Sequence, residues 1–121
     1  MTLQRQAFGK AGENIAAGEL ERLGYVILDR RYRTRHGEID IVARDGTTTV
    51  FIEVKARRTA EFGTAAEAVT PLKQRRLWAM AVDYLARHRL MEQPCRFDVV
   101  AVDGTGPAPV ITVYRSAFSA R

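Results

Sequence analysis

Asp45-Gly46 stands between two runs of strand-forming residues, Glu38 to Arg44 and Thr47 to Arg57. That dipeptide is the strongest short-range hairpin signal, because both residues tolerate the positive φ that a tight turn requires. It commits residues 38 to 57 to an antiparallel pair. Strand side chains alternate between faces, so Ile39, Ile41 and Ala43 are expected on one face and Glu38, Asp40 and Val42 on the other. In the second strand, Val50-Phe51-Ile52-Glu53-Val54-Lys55-Ala56, the same alternation puts Glu53 and Lys55 on one side. A carboxylate and an ammonium are costly in so apolar a strand unless they are paired or hold a metal. A two-residue loop with Arg44 facing Thr47 sets Glu38 opposite Glu53 and leaves Asp40 diagonal to it, the Cβ atoms ~7 Å apart or less. A four-residue loop sets Asp40 directly opposite Glu53. Either register brings both acids to one face, within reach of a shared cation, and a bulge would break that geometry.

The rest of the chain supplies partners for this hairpin. Residues 6 to about 23 read as a helix with Ala7, Ala11, Ile15, Leu20 and Leu23 on its apolar stripe and Gly24 as its stop. Glu13 falls near that stripe but off its centre. Gly9, Gly12 and Gly18 suggest close packing, since each weakens a helix by about 1 kcal/mol against Ala. Tyr25 to Arg33 is a strand candidate. Residues 59 to 69 read as an irregular connection, with one helical turn expected at Ala65 to Ala68. Thr70-Pro71 is an N-cap followed by proline at the first helical position. The helix it opens is expected to run to about Arg89, burying Leu77, Ala81, Tyr84, Leu85 and His88, with Trp78 and Met80 flanking. Pro94 marks a break. Arg96 to Val102 and Val110 to Tyr114 are further strands, separated by a loop from Gly104 to Pro109. Arg115 to Arg121 reads as a frayed tail or an assembly surface.

At 121 residues, with no repeat or linker, this is one domain spanning residues 1–121. The order α-β-β-β-α-β-β implies an α/β (α+β) fold, a mixed sheet flanked by helices. No apolar run approaches the ~20 residues that span a bilayer, and the N-terminus lacks a signal-like apolar segment, so no membrane partner is expected. The single cysteine, Cys95, cannot close an internal disulfide, which makes the cytoplasm the default location. Its simplest role is a structural thiol.

The net charge of +5 favours an anionic partner, and nucleic acid is the commonest one. The placement of the charge says more. Arg30, Arg31, Arg33, Arg35 and His36 precede the acidic motif, Lys55, Arg57 and Arg58 follow the second acid, and Lys73, Arg75 and Arg76 open the later helix. Arg33, Arg35, Arg57, Arg58, Lys73 and Arg75 are therefore candidate nucleic-acid contacts. Asp40 and Glu53 suit a hard cation, Mg²⁺ or Mn²⁺, with the Val54 carbonyl as a further oxygen ligand. Such an ion polarises a phosphodiester and acidifies bound water. Lys55 is placed to orient or deprotonate that water, or to stabilise charge on the transition state.

Asp40…Glu53-Val54-Lys55, set on the second and third strands, resembles the restriction-endonuclease-like PD-(D/E)xK nuclease superfamily and its αβββαβ core. With Gly9-Lys10-x-Gly12-Glu13, Gly37-Glu38-Ile39-Asp40 and Arg96-Phe97-Asp98-Val99-Val100, the closer resemblance is to the YraN-like bacterial family, related to Holliday-junction resolvases. The likeness runs from about Gly9 to Tyr114. It implies that Glu13 is a third, helix-borne metal acid, that Asp40 and Glu53 bind metal, and that Lys55 is the catalytic lysine. Gln74, with Trp78 four residues on, resembles the Gln-x-x-x-Tyr element of some superfamily nucleases, with Trp in place of Tyr. Isoleucine stands where many members have proline before the first acid. The resemblance also implies a metal-dependent endonuclease acting on DNA, branched DNA included, and a homodimer.

The simpler readings fall elsewhere. Asp98, between Phe97 and Val99, reads as a buried acid hydrogen-bonded for structural reasons. Trp78 and Tyr84 read as core. His36 and His88 have no partner at ligand spacing. Three function classes follow: a metal-dependent nuclease, a nuclease-fold binding module that does not cleave, and an interaction protein. Intact Asp40, Glu53 and Lys55 favour the first, and the adjoining basic clusters disfavour the third.

Overall fold

The structure, a computed structural model, describes residues 3–58, 69–104 and 106–118. Along the chain, helix α1 (Leu3–Arg22) precedes strands β1 (Val26–Thr34), β2 (Gly37–Asp45) and β3 (Thr48–Arg57). Helix α2 (Pro71–Arg87) then leads to β4 (Cys95–Asp103) and β5 (Val110–Phe118). The strands form one sheet in the order β1-β2-β3-β4-β5. β3 and β4 run parallel and every other neighbouring pair is antiparallel. A parallel pair cannot be closed by a hairpin, and α2 provides the crossover it needs. The result is a mixed-sheet α+β fold, as the element order implies. The expected helical turn at residues 65–68 lies outside the described residues.

Each helix covers one face of the sheet. Leu77, Met80, Ala81, Tyr84 and Leu85 of α2 pack on Val42, Phe51, Phe97 and Val99. Ala16, Ala17 and Leu20 of α1 pack on Ile41, Ala43, Val50, Ile52 and Val100. Thr70 caps α2, its side chain accepting from Lys73 N at 3.3 Å, with Pro71 at the first position. His88, expected on the buried stripe, is exposed just past the last turn, its ring stacked 3.9 Å from that of Tyr84. Met80, expected at the flank, is buried instead.

The buried face of α1 differs from the expected stripe. Ile15 and Leu23 are exposed, and the covered residues are Gly12, Glu13, Ala16, Ala17 and Leu20. Small side chains let the helix approach β3 closely: a Cβ at Gly12 would lie 2.5 Å from Ala56 Cβ. Hydrophobic bulk was the wrong guide, because this contact is set by volume, and it carries Glu13 into the buried face. Gly24, at φ 98°, ends α1 as expected. Tyr25 N bonds to Leu20 O at 2.9 Å and Gly24 N to Glu21 O at 3.0 Å, closing the last carbonyls.

The hairpin turn is Gly46-Thr47, with Asp45 paired to Thr48 and Ile41 to Ile52. This register sets Asp40 level with Glu53, the alternative expected for the longer loop. The alternation along β2, however, changes phase at Asp40. Ile39 joins Val42 in the cluster beneath α2, whereas Ile41 and Ala43 face α1. Level with Asp40, between the Arg30–Ile41 and Tyr32–Ile39 pairs, Arg31 of β1 adopts φ 56°.

β5 extends past Tyr114 to Phe118, so Arg115 to Phe118 are strand rather than frayed tail. Ser116, at φ 51°, shifts the register beside Asp98 and donates its N–H to Asp98 Oδ1 at 3.0 Å. Phe118 is thereby turned onto Phe97, ring centroids 4.8 Å apart. Asp98 is fully buried and also accepts from Tyr25 Oη at 2.9 Å and Arg96 Nε at 3.1 Å. Its role is structural, as the sequence suggests. Arg96 further reaches Asp45 Oδ2 at 2.8 Å, tying β4 to the hairpin turn.

The α1–β3 contact makes a specific expectation. Gly12→Ala forces the two Cβ atoms apart and should cost about 1–3 kcal/mol of unfolding free energy in urea titration. Gly18→Ala, where no atom lies within 4 Å of the added Cβ, should instead stabilise by about 0.5–1 kcal/mol. Equal effects at the two positions would contradict the close approach.

Candidate active site

β2 and β3 stop pairing at Ile41–Ile52, while β3 continues against β4 as far as Arg57–Asp103. The two strands of the hairpin therefore part at the level of Asp40 and Glu53. Across the parting, Asp40 Oδ2 accepts the Val54 N–H at 2.8 Å, in place of a ladder carbonyl. Asp40, Glu53, Val54, Lys55, Glu13 and Arg58 border one cavity of about 400 Å³. The sequence places all six among its candidates, and the fold gathers them.

The carboxylates strain against one another. Burial, then repulsion from Glu53, raises the Asp40 pKa from 3.8 to about 7, against the opposing Val54 hydrogen bond. Glu13 and Glu38 add smaller repulsions. Burial also lowers the Lys55 pKa, helped by the neighbouring ammonium of Lys73. Lys73 Nζ stands 3.6 Å from Glu53 Oε1. Burial disfavours its charge, but the bond to Lys55 and the attraction of Glu53 and Asp40 leave its pKa raised overall.

Glu13, nearly buried, has two arginine partners: Arg30 Nη2 at 3.1 Å and Arg31 Nε at 3.2 Å. Arg30 Nη2 also bonds to Asn14 Oδ1 at 2.6 Å. Sequence reasoning placed these arginines in a basic cluster but not at the site. Alternation cannot send adjacent residues to the same helix, and the positive φ of Arg31 that allows it leaves no sequence signal. Among the described residues, no group of three or more His, Cys, Asp or Glu side chains is arranged to hold an ion. The donors that do meet, Asp40, Glu53 and the Val54 main chain, are hard oxygens. Two mutually repelling carboxylates of this kind fit a hard divalent cation such as Mg²⁺ or Mn²⁺.

The remaining candidates disperse. Gln74 Nε2 donates to Val69 O at 2.9 Å, bracing the start of α2, and Trp78 packs edge-on against Phe97. Arg33 is exposed and pairs with Glu38. Arg35 borders a separate cavity with His36, Asp83 and Arg87. Arg57 forms a two-pronged pair with Asp103, at 2.7 and 3.0 Å. Arg75 is exposed on α2. Of the six basic candidates, Lys73 and Arg58 stand at the acid cluster.

An α+β domain whose acid–acid–lysine cluster occupies the parting of two strands is thus the class that fold and site define. The chain belongs to the uncharacterised protein family UPF0102, whose profile matches residues 12–102. This is the YraN-like family that the motifs resemble. It is 50% identical over 111 residues to a UPF0102 protein of Geobacter sulfurreducens, covering 91% of this chain and 87% of that one. A UPF0102 protein of Symbiobacterium thermophilum is 54% identical over 95 residues, covering 78% and 80%. Among solved structures, the chain is similar to one described as "Structure of EndoMS-dsDNA2 complex", with 22% identity and a TM-score of 0.46. That match covers 81% of this chain and 37% of the other, so this chain spans little more than a third of it. Among the described residues no helix is long and apolar enough to cross a membrane.

The raised Asp40 pKa carries a sign. Folding favours the protonated carboxyl, so its stabilisation is complete below about pH 4 and is lost as pH rises through about 7. In EDTA-containing buffer, the wild-type unfolding free energy should fall between pH 5 and pH 8, on the order of 2 kcal/mol relative to Asp40→Asn. Asparagine keeps an acceptor for Val54 N–H without the charge. Parallel pH profiles for the two proteins would assign the titration elsewhere.

Proposed function

We propose that this protein is a divalent-metal-dependent endonuclease that hydrolyses DNA phosphodiesters. One observation carries the reading: Asp40, Glu53 and Lys55 border one cavity at the parting of β2 and β3, with basic side chains on its rim. In this reading Asp40 and Glu53 hold Mg²⁺ or Mn²⁺ with the Val54 carbonyl, and Glu13 stands behind them. When bound, the ion polarises the phosphodiester and acidifies a water. Lys55 orients the attacking water or meets the charge that builds on the phosphoryl oxygens. The water oxygen bonds to phosphorus and loses a proton to solvent as one P–O ester bond breaks, and the departing oxygen takes a proton from solvent, with no covalent enzyme intermediate. Arg58 on the cavity wall and Lys73 beside Glu53 are the cations nearest the anionic backbone, and Arg30 and Arg31 stand behind Glu13. The resemblance to resolvase-like nucleases makes branched DNA the substrate to try first and a homodimer the assembly to look for.

Labelled four-way junction, flapped, single-stranded and linear duplex DNA, incubated with Mg²⁺ or Mn²⁺, test the proposal. Cleavage should be lost in Asp40→Asn and fall by at least about 10²-fold in Lys55→Ala. Lys55→Ala should still bind Mn²⁺ in calorimetry, whereas Glu53→Gln should bind it more weakly. Binding of DNA in Ca²⁺ without cleavage in Mg²⁺ or Mn²⁺ would favour a nuclease-fold binding module. Neither binding nor cleavage would remove the nucleic-acid reading.

A further inference from the structure

Lys73 belongs to the site by geometry, although it sits twenty residues beyond Glu53 on a different element. The first turn of α2 is fixed from two directions: Thr70 accepts Lys73 N, and Gln74 donates to Val69 O. From that turn the side chain of Lys73 reaches Glu53 Oε1 at 3.6 Å. Glu53 is largely enclosed, its side chain 12% exposed, whereas that of Lys73 is 40% exposed. Glu13 meanwhile is matched by Arg30 and Arg31. Asp40 and Glu53 thus face Lys55 and Lys73, two acids against two lysines, with Arg58 on the rim.

We infer that Lys73 is an internal counter-cation for Glu53 and competes there with the divalent ion. The inference rests on the proposed metal site. A dication entering beside Glu53 meets a positive charge already paired with it, and the ammonium must move for the carboxylate to turn to the metal. Its natural destination is the other charge the reaction brings, a phosphodiester oxygen. Metal and nucleic acid would then bind cooperatively, since each removes a cost from the other. Lys73 is in this sense a positioning residue: its first effect is on Glu53, and its contact with the backbone follows.

Calorimetric titration of the full chain with Mn²⁺, in the absence of nucleic acid, tests this directly. Lys73→Met and Lys73→Gln should bind Mn²⁺ about five- to tenfold more tightly than wild type, and Lys73→Arg should stay near wild type. Repeating the titration with a phosphorothioate duplex present should raise wild-type Mn²⁺ affinity more than that of Lys73→Met. Unchanged or weaker Mn²⁺ binding in both neutral variants, with Glu53→Gln still impaired, would overturn the role of Lys73 and leave the metal site standing. An equal rise with duplex in wild type and Lys73→Met would overturn the coupling. No Mn²⁺ binding in wild type or either neutral variant would overturn the metal site and this inference together.

Discussion

A hydrogen bond from a main-chain amide to a carboxylate marks where this hairpin ceases to be a sheet. Val54 N–H needs an acceptor, and the β2 backbone has already turned away. Asp40 provides one with its side chain, which fixes the carboxylate beside β3 and beside Glu53. Two acids are thereby held at close quarters within a partly buried cleft, where neither is fully solvated. Everything chemical in the site follows from that enforced proximity: the raised Asp40 pKa, the attraction for cations, and the recruitment of two lysines.

The cleft is open because each strand has a different obligation. β3 is held along its whole length by β4, in parallel register through Arg57–Asp103. β2 stays paired with β1 beyond that point, through Thr34–Gly37, with Arg31 at positive φ level with Asp40. The helices then supply what the strands lack. α1 comes close through its small residues and delivers Glu13 with its arginine partners, and α2 delivers Lys73 from a capped first turn. Arg31 at positive φ carries backbone strain on the order of 1 kcal/mol or more, and its side chain pairs with Glu13.

Much of this was legible in the residues. Asp45-Gly46 announced the hairpin, Thr70-Pro71 the start of α2, Gly24 the end of α1, and the spacing of Asp40 and Glu53 their meeting. The burial of Asp98 was readable from its apolar neighbours. What stayed hidden depended on contacts between elements. The buried face of α1 is defined by smallness rather than hydrophobicity, so Ile15 and Leu23 misled and Glu13 was displaced from its true place. The phase change at Asp40 and the register shift in β5 both fall beside non-glycine residues at positive φ, Arg31 and Ser116, which no side-chain pattern announces. The arginine partners of Glu13 and the Lys73–Glu53 pair join positions far apart in sequence, visible only once the helices are docked.

The parallel pairing of β3 and β4 has a consequence for the order of assembly. β1, β2 and β3 are consecutive and joined by short turns, so their pairing closes small loops and comes at little entropic cost. β4 can dock only after the chain has traversed the long segment that holds α2, a slower closure. Asp40 and Glu53 therefore lie on strands joined by a local closure, whereas Lys73 comes with the crossover. The acid pair and the lysine that faces Glu53 are thus brought together by closures of different range, one within the hairpin and one through the crossover.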